Sequence, residues 1–183
     1  MKTTLNLFMV GLFCTLLASC SFFIKDYNLV SSSYKAADKL LDGIEDIEFL
    51  QPREDGLDAK QSILVTSFVN IDNLQESSTF GRIVAEQIGS RIAQYGYKMI
   101  EMKMRTGSIF VQEKTGELIL SRQLQEISFQ HDAFAIAVGT YGVSKESVYV
   151  TAKLVRAKDS VILSSYDYWL PVGPDTKQML RKK

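Results

Sequence analysis

Cys20 stands directly behind Leu17, Ala18 and Ser19, and that order prepares one chemical event. The small residues flanking the Ser19–Cys20 bond fit a narrow protease site, and the thiol is the nucleophile available for lipid transfer. Upstream lie Met1-Lys2, with a single positive charge, and Leu5 to Leu17, an apolar run broken only by Asn6, Gly11 and Thr15. A charged start, a short apolar stretch and a small-residue cleavage site make a secretory signal peptide, and the stretch is too short to span a bilayer comfortably. Residues 1–19 are therefore expected to be a signal segment, with Leu17, Ala18 and Ser19 read by the signal peptidase.

Residues 1–20 closely resemble the leader of bacterial lipoproteins. The resemblance implies acylation of the Cys20 thiol, cleavage just before it and acylation of the new N-terminus. One acyl chain anchors marginally and two or more anchor stably, at about 0.8 kcal/mol per buried methylene. Ser21, rather than Asp, follows the cysteine, which by analogy with enterobacterial sorting favours the outer membrane and a domain facing the periplasm. Cys14 leaves with the signal and Cys20 is spent on lipid, so the remaining domain has no thiol for a disulfide.

Other chemistry is sparse. His131 is the only histidine and sits beside Asp132, which reads as a cap or surface pair, since metal sites need three or four ligands. No Gly-x-Ser-x-Gly elbow occurs. Gly139-Thr-Tyr-Gly142 lacks the Lys-Ser/Thr of a phosphate loop and is expected between strands. Carboxylate pairs such as Glu45-Asp46 lie in polar, solvated contexts. The expectation is a chain that is not an enzyme, with no catalytic residue, no metal site, no small-molecule substrate and no cofactor beyond covalent lipid. Without residues 1–19 the chain keeps 20 Lys plus Arg, Lys2 being lost, against 21 Asp plus Glu. Near neutrality leaves no electrostatic footprint for nucleic acid.

The remaining 164 residues suit one core, and a full-sequence composition of 46% apolar and 10% aromatic residues leaves enough to fill it. Residues 20–30 are expected to be a lipidated tether whose Phe22, Phe23 and Ile24 dip into the membrane interface or pack on protein. From Ser31 to Glu45, Tyr34, Ala37, Leu40, Leu41 and Ile44 fall on one helical face behind capping serines. Asp46 to Lys60, with Pro52 and Gly56, reads as a loop. Ser62 to Val69 reads as one buried strand. Phe80, Ile83, Val84, Ile88 and Ile92 then recur at helical spacing, and Gly96 sits where a left-handed cap belongs. A strand over Tyr97 to Lys103 completes a β-α-β unit, which requires a partly parallel sheet.

Next, Ser108–Val111 and Glu117–Leu120 flank Lys114-Thr115-Gly116 as a small hairpin or an irregular excursion, and Ser121 caps a short helix with Leu124 and Ile127 facing inward. Ala133 to Gly139 alternates small with large residues, so one face admits a close neighbour and the other fills a core. Val148–Val155 and Val161–Leu170 complete a three-stranded antiparallel meander. Tyr141, Tyr149, Tyr166, Tyr168 and Trp169 gather there, as core or as an assembly surface. Residues 172–183 read as a polar, solvated tail. The fold class is α/β (α+β), one domain with a mixed sheet over residues 31–171.

Several stretches together resemble the FlgO family of flagellar outer-membrane lipoproteins: Phe80-Gly-Arg-Ile-Val-Ala-Glu-Gln-Ile-Gly-Ser-Arg91, Thr115-Gly-Glu-Leu-Ile-Leu-Ser-Arg122, Ala135-Ile-Ala-Val-Gly-Thr-Tyr141 and Val148-Tyr-Val-Thr-Ala-Lys-Leu-Val155, downstream of the Cys20 motif. The likeness runs from residue 31 to about 171. It implies an anticodon-binding-like α/β domain, as in the curli-secretion lipoprotein and the N-terminal domain of TolB. It also implies an accessory structural role at the flagellar basal body, needed for motility, with partners that are copies of itself or other envelope proteins. The alternative is a lipoprotein subunit of another envelope machine for secretion or fibre export. The resemblance carries over no catalytic residue.

Overall fold

Ala133–Val143 (β6) is the strand on which the sheet assembles, because both its faces are apolar and both its edges are paired. The computed structural model describes residues 25–44, 62–101, 110–112 and 118–181. Within them the elements run α1 (Leu29–Asp42), β1 (Ser62–Val65), β2 (Val69–Asn70), α2 (Thr79–Gln94), β3 (Lys98–Glu101), β4 (Phe110–Gln112), β5 (Leu118–Leu120), α3 (Arg122–Gln130), β6, β7 (Ser147–Arg156), β8 (Ile162–Pro171) and α4 (Pro174–Met179). The sheet order is β3-β1-β6-β7-β8, with β2 also on β6. β1 runs parallel to both β3 and β6, while β6, β7 and β8 form the antiparallel meander. The mixed α/β sheet and its β-α-β unit are as the residue pattern predicts. β4 and β5 pair antiparallel in a separate sheet, and residues 113–117 between them lie outside the described residues.

The two sheet faces bury different partners. Ala135, Ala137 and Tyr141 of β6, with Val148, Val150, Ala152 and Leu154 of β7, pack beneath α1 and α2. Ile136 and Val138 turn the other way, onto Leu124 of α3, with Leu64, Val69 and Val155. The small residues of β6 serve the close approach foreseen for them. The Phe68 ring lies on Gly139 so tightly that a methyl group there would overlap it. Tyr141 stands edge-to-face with Phe80, ring centres 5.6 Å apart, and its hydroxyl accepts a hydrogen bond from the Ser78 amide at 3.1 Å. Ser78 caps α2 through Gly81, Ser121 caps α3 through Leu124, and Gly96, at φ 87°, follows α2 in the left-handed region.

Four local expectations are corrected. The run Ser62–Val69 is two strands, because the Thr66 amide bonds Ala137 O of β6 whereas the Phe68 amide turns to Gly81 O of α2. The break shifts the side-chain phase. Ile63 and Val65 face the helices and so does Phe68, where an unbroken strand would have placed Ser67. The cap of α1 is Asn28, whose side chain accepts from the Ser31 amide, and the serines lie inside the helix. Gly139-Thr-Tyr-Gly142 lies within β6, paired to Ala152, Thr151, Val150 and Tyr149 of β7, since the strand continues to Val143. Residues 172–181 are not a solvated tail. Pro174 opens α4, which packs against α2 and buries Thr176.

Candidate functional surface

The residues expected to do chemistry, Leu17, Ala18, Ser19 and Cys20, lie outside the described residues, as do Phe22, Phe23, Ile24 and Asp46 to Lys60. What the structure does place is the point where the chain coming from Cys20 enters the fold. The N-cap of α4 is Gly173, which offers no side-chain acceptor for the first-turn amides. Asp26 supplies it from the other end of the chain. Its carboxylate accepts from Asp175 N at 2.8 Å and from Thr176 N at 3.0 Å. Burial opposes ionisation of Asp26, but the hydrogen bonds from Thr176 and Asp175 outweigh it and hold the carboxyl below its usual range. Gly173 is needed for this approach, since a Cβ there would meet the Asp26 backbone and carboxyl at about 2.5 Å. From Cys20 to Asp26 is six residues, at most about 20 Å of extended chain.

Beside this clamp a cleft of about 250 Å³ opens between the start of α1 and the edge strand β8, lined by Tyr27, Ser32, Lys35, Tyr166, Tyr168, Trp169 and Pro171. Tyr166 and Tyr168 stack with ring centres 6.0 Å apart. Burial pushes the Tyr168 hydroxyl well above its ordinary pKa, which the facing Ser33 hydroxyl partly opposes. Neither hydroxyl completes a hydrogen bond of good geometry. The five aromatics grouped by sequence therefore separate. Tyr141 is core, Tyr166 and Tyr168 pack toward α1, and Tyr149 and Trp169 are exposed neighbours across β7 and β8.

Across the fold, Arg91 of α2 grips Asp38 of α1 with Nε at 2.7 Å and Nη2 at 3.3 Å, while Tyr95 donates to the same carboxylate at 3.0 Å. The guanidinium also lies 5.0 Å from the Tyr95 ring centre and 5.5 Å from that of Tyr34. The Arg91 hydrogen bonds, ahead of opposing burial, hold the Asp38 carboxyl below its usual range. This knot fastens the two helices that cover the main core.

His131 and Asp132 close α3, as a cap pair should. The His131 amide bonds Ile127 O, the Asp132 amide bonds Phe129 O, and Asp132 takes φ 49°. Among the described residues no three His, Cys, Asp or Glu side chains converge on a metal site, and no helix is long and apolar enough to cross a membrane. Sequence reasoning missed the Asp26 clamp. Gly173-Pro174-Asp175 was its one visible sign, because proline at the first helical position and an acid in the first turn announce a helix start.

No curated protein matches this chain. Among solved structures, the LpoB C-terminal domain from Salmonella enterica is similar at 14% identity, covering 78% of this chain and 98% of that one with a TM-score of 0.49. The LpoB C-terminal domain from Escherichia coli is similar at 12% identity, with the same coverage and a TM-score of 0.47. Lipoprotein GNA1162 from Neisseria meningitidis is similar at 15% identity, over 63% of this chain and 83% of that one, with a TM-score of 0.42. The family model described as FlgO protein matches residues 34–175, well over half of the sequence. The chain belongs to the FlgO family.

Proposed function

We propose that this protein is a lipid-anchored, non-enzymatic accessory component of the flagellar basal body, held at the outer membrane with its domain facing the periplasm and needed for motility. The observation that carries this reading is the FlgO family match over residues 34–175. The Leu17-Ala18-Ser19-Cys20 motif supports the anchor, with Cys20 bearing lipid and no other cofactor involved. The partners are copies of this chain or other envelope and flagellar proteins, and neither nucleic acid nor a small-molecule substrate takes part. Confinement to a membrane plane raises effective concentration, so individually weak contacts can build a ring.

The test is deletion of the gene, scored by swimming in soft agar and by electron microscopy of flagella, with complementation by wild type and by Cys20→Ala. Motility lost on deletion and restored only by the wild type supports the reading. Normal swimming of the deletion strain refutes the flagellar role, and outer-membrane recovery of Cys20→Ala refutes the anchor.

A further inference from the structure

The exposed apolar side chains of the domain are concentrated where the chain from Cys20 enters it. Of the ten most exposed large apolar residues among those described, six lie at this end: Tyr27, Val30, Ile71, Val143, Tyr149 and Trp169. Four of them form one continuous ridge. Tyr27 and Trp169 line the same cleft, and Trp169 pairs across the strands with Tyr149. Tyr149 pairs with Gly142, and a Cβ on Gly142 would stand 3.3 Å from Ile71, which lies over the glycine. Tyr27 and Trp169 are each 62% exposed, Tyr149 57% and Ile71 52%. The remaining exposed apolar residues, Tyr95, Phe129, Val161 and Ile162, are scattered over the end of α2, α3 and the turn at the far end of β8.

A ridge of this kind, rich in tyrosine and tryptophan, has the chemistry of a membrane interface, where an aromatic ring enters the apolar boundary while its polar group stays wet. The position of the tether selects the same occupant. Tyr27 is seven residues beyond Cys20, so at most about 25 Å of chain separates the ridge from the lipidated residue. The charges nearby are mixed. Lys25, Lys35 and Lys145 are exposed at this end, and Asp26 is turned into its clamp, but Asp72 and Glu146 remain in the adjoining turns. Attraction is therefore dominated by the aromatic and aliphatic groups, with little dependence on salt.

We infer that this end of the domain rests on the lipid surface to which the chain is tethered, with Tyr27, Tyr149, Trp169 and Ile71 at headgroup level. The inference rests on lipid anchoring at Cys20, and its test is built to fail separately from that reading. Trp169 is the only tryptophan in the chain, and Cys20 is the only thiol after residue 19. Residues 20–183, which include the whole described fold, can be coupled through Cys20 to a maleimide lipid in vesicles of phosphatidylethanolamine and phosphatidylglycerol. No cellular acylation is required. The expected result is a blue shift of Trp169 emission on coupling, quenching by lipids brominated near the headgroup, and at least a several-fold loss of acrylamide access. Ile71→Ser with Tyr149→Ser, both exposed positions, should restore that access while leaving the far-ultraviolet circular dichroism unchanged. Emission and acrylamide access unchanged by coupling overturn the inference. So does protection that rises with protein density without quenching by brominated lipid, because it assigns the ridge to contacts between copies. Mass spectrometry of the protein from cells tests acylation of Cys20 independently.

Discussion

Replacing Asp26 by alanine should loosen α4 without unfolding the domain. The carboxylate makes two charge-assisted hydrogen bonds, at 2.8 and 3.0 Å, to amides of a helix start that has no other side-chain cap. Capping substitutions of this kind cost about 0.5–2 kcal/mol, and two short bonds to a charged acceptor put the cost in the upper part of that range, about 1–2 kcal/mol. An increment of 1–2 kcal/mol raises the opening of α4 about 5- to 30-fold. Hydrogen exchange at the amides of Asp175, Thr176 and Lys177 measures it directly. Gly173→Ala should give the same phenotype with the carboxylate still present, since the new methyl group displaces it.

The pH dependence has a definite sign. The folded-state pKa of Asp26 is depressed, so its stabilisation is complete above the unfolded value near 3.9 and is lost as pH falls through the lower folded value. Wild-type α4 should thus become more labile below about pH 4, and Asp26→Asn, which keeps a neutral acceptor, should lose much of that acid response. Unaltered exchange in Asp26→Ala at neutral pH, or an identical acid profile in the asparagine variant, would refute the clamp as an energetic element.

Two further outcomes test the packing. Gly139→Ala should destabilise the wild type by about 1–3 kcal/mol, because the methyl group meets the Phe68 ring, yet stabilise a Phe68→Ala background by about 0.5–1 kcal/mol through the lost flexibility of glycine. Urea unfolding followed by circular dichroism measures both, and equal effects in the two backgrounds would disprove the knob-and-hole contact. Arg91→Met, which keeps much of the side-chain length, should lower the urea midpoint, with a smaller loss when Asp38 is already alanine. Additive losses in that cycle would show that the ion pair contributes nothing.

The layout of the fold was legible because each long element obeys a period its neighbours reinforce. The 3.6-residue spacing of Phe80, Val84, Ile88 and Ile92 and the two-residue alternation from Val148 to Leu154 could belong to no other element type, and both fill the core as expected. The errors fall where a distant partner overrides a local pattern. Ser62 to Val69 is uniformly fit for a strand, and nothing within it reveals that Phe68 leaves β6 for Gly81 of α2. Gly173 looks like an uncapped start until Asp26 is brought to the Asp175 amide from 149 residues away. The exposed ridge was half legible. Tyr149 and Trp169 were visible as a group, but Tyr27 and Ile71 join them only through tertiary packing.

The Asp26 clamp also sets a path for force. Any pull arriving along the chain ahead of Lys25 meets Asp26 before it reaches Asn28 and the first turn of α1. Without the clamp, tension would peel α1 from its capped end one turn at a time. With it, part of the load passes into α4 and the last residues of β8, which are zipped to β7 from Ser147–Pro171 to Val155–Ile162 and tied to the β6–β7 turn through Val172 and Glu146. The lifetime of a domain under sustained tension is set by its unfolding rate. A single carboxylate thus recruits the long meander seam to share a strain that would otherwise fall on one helix.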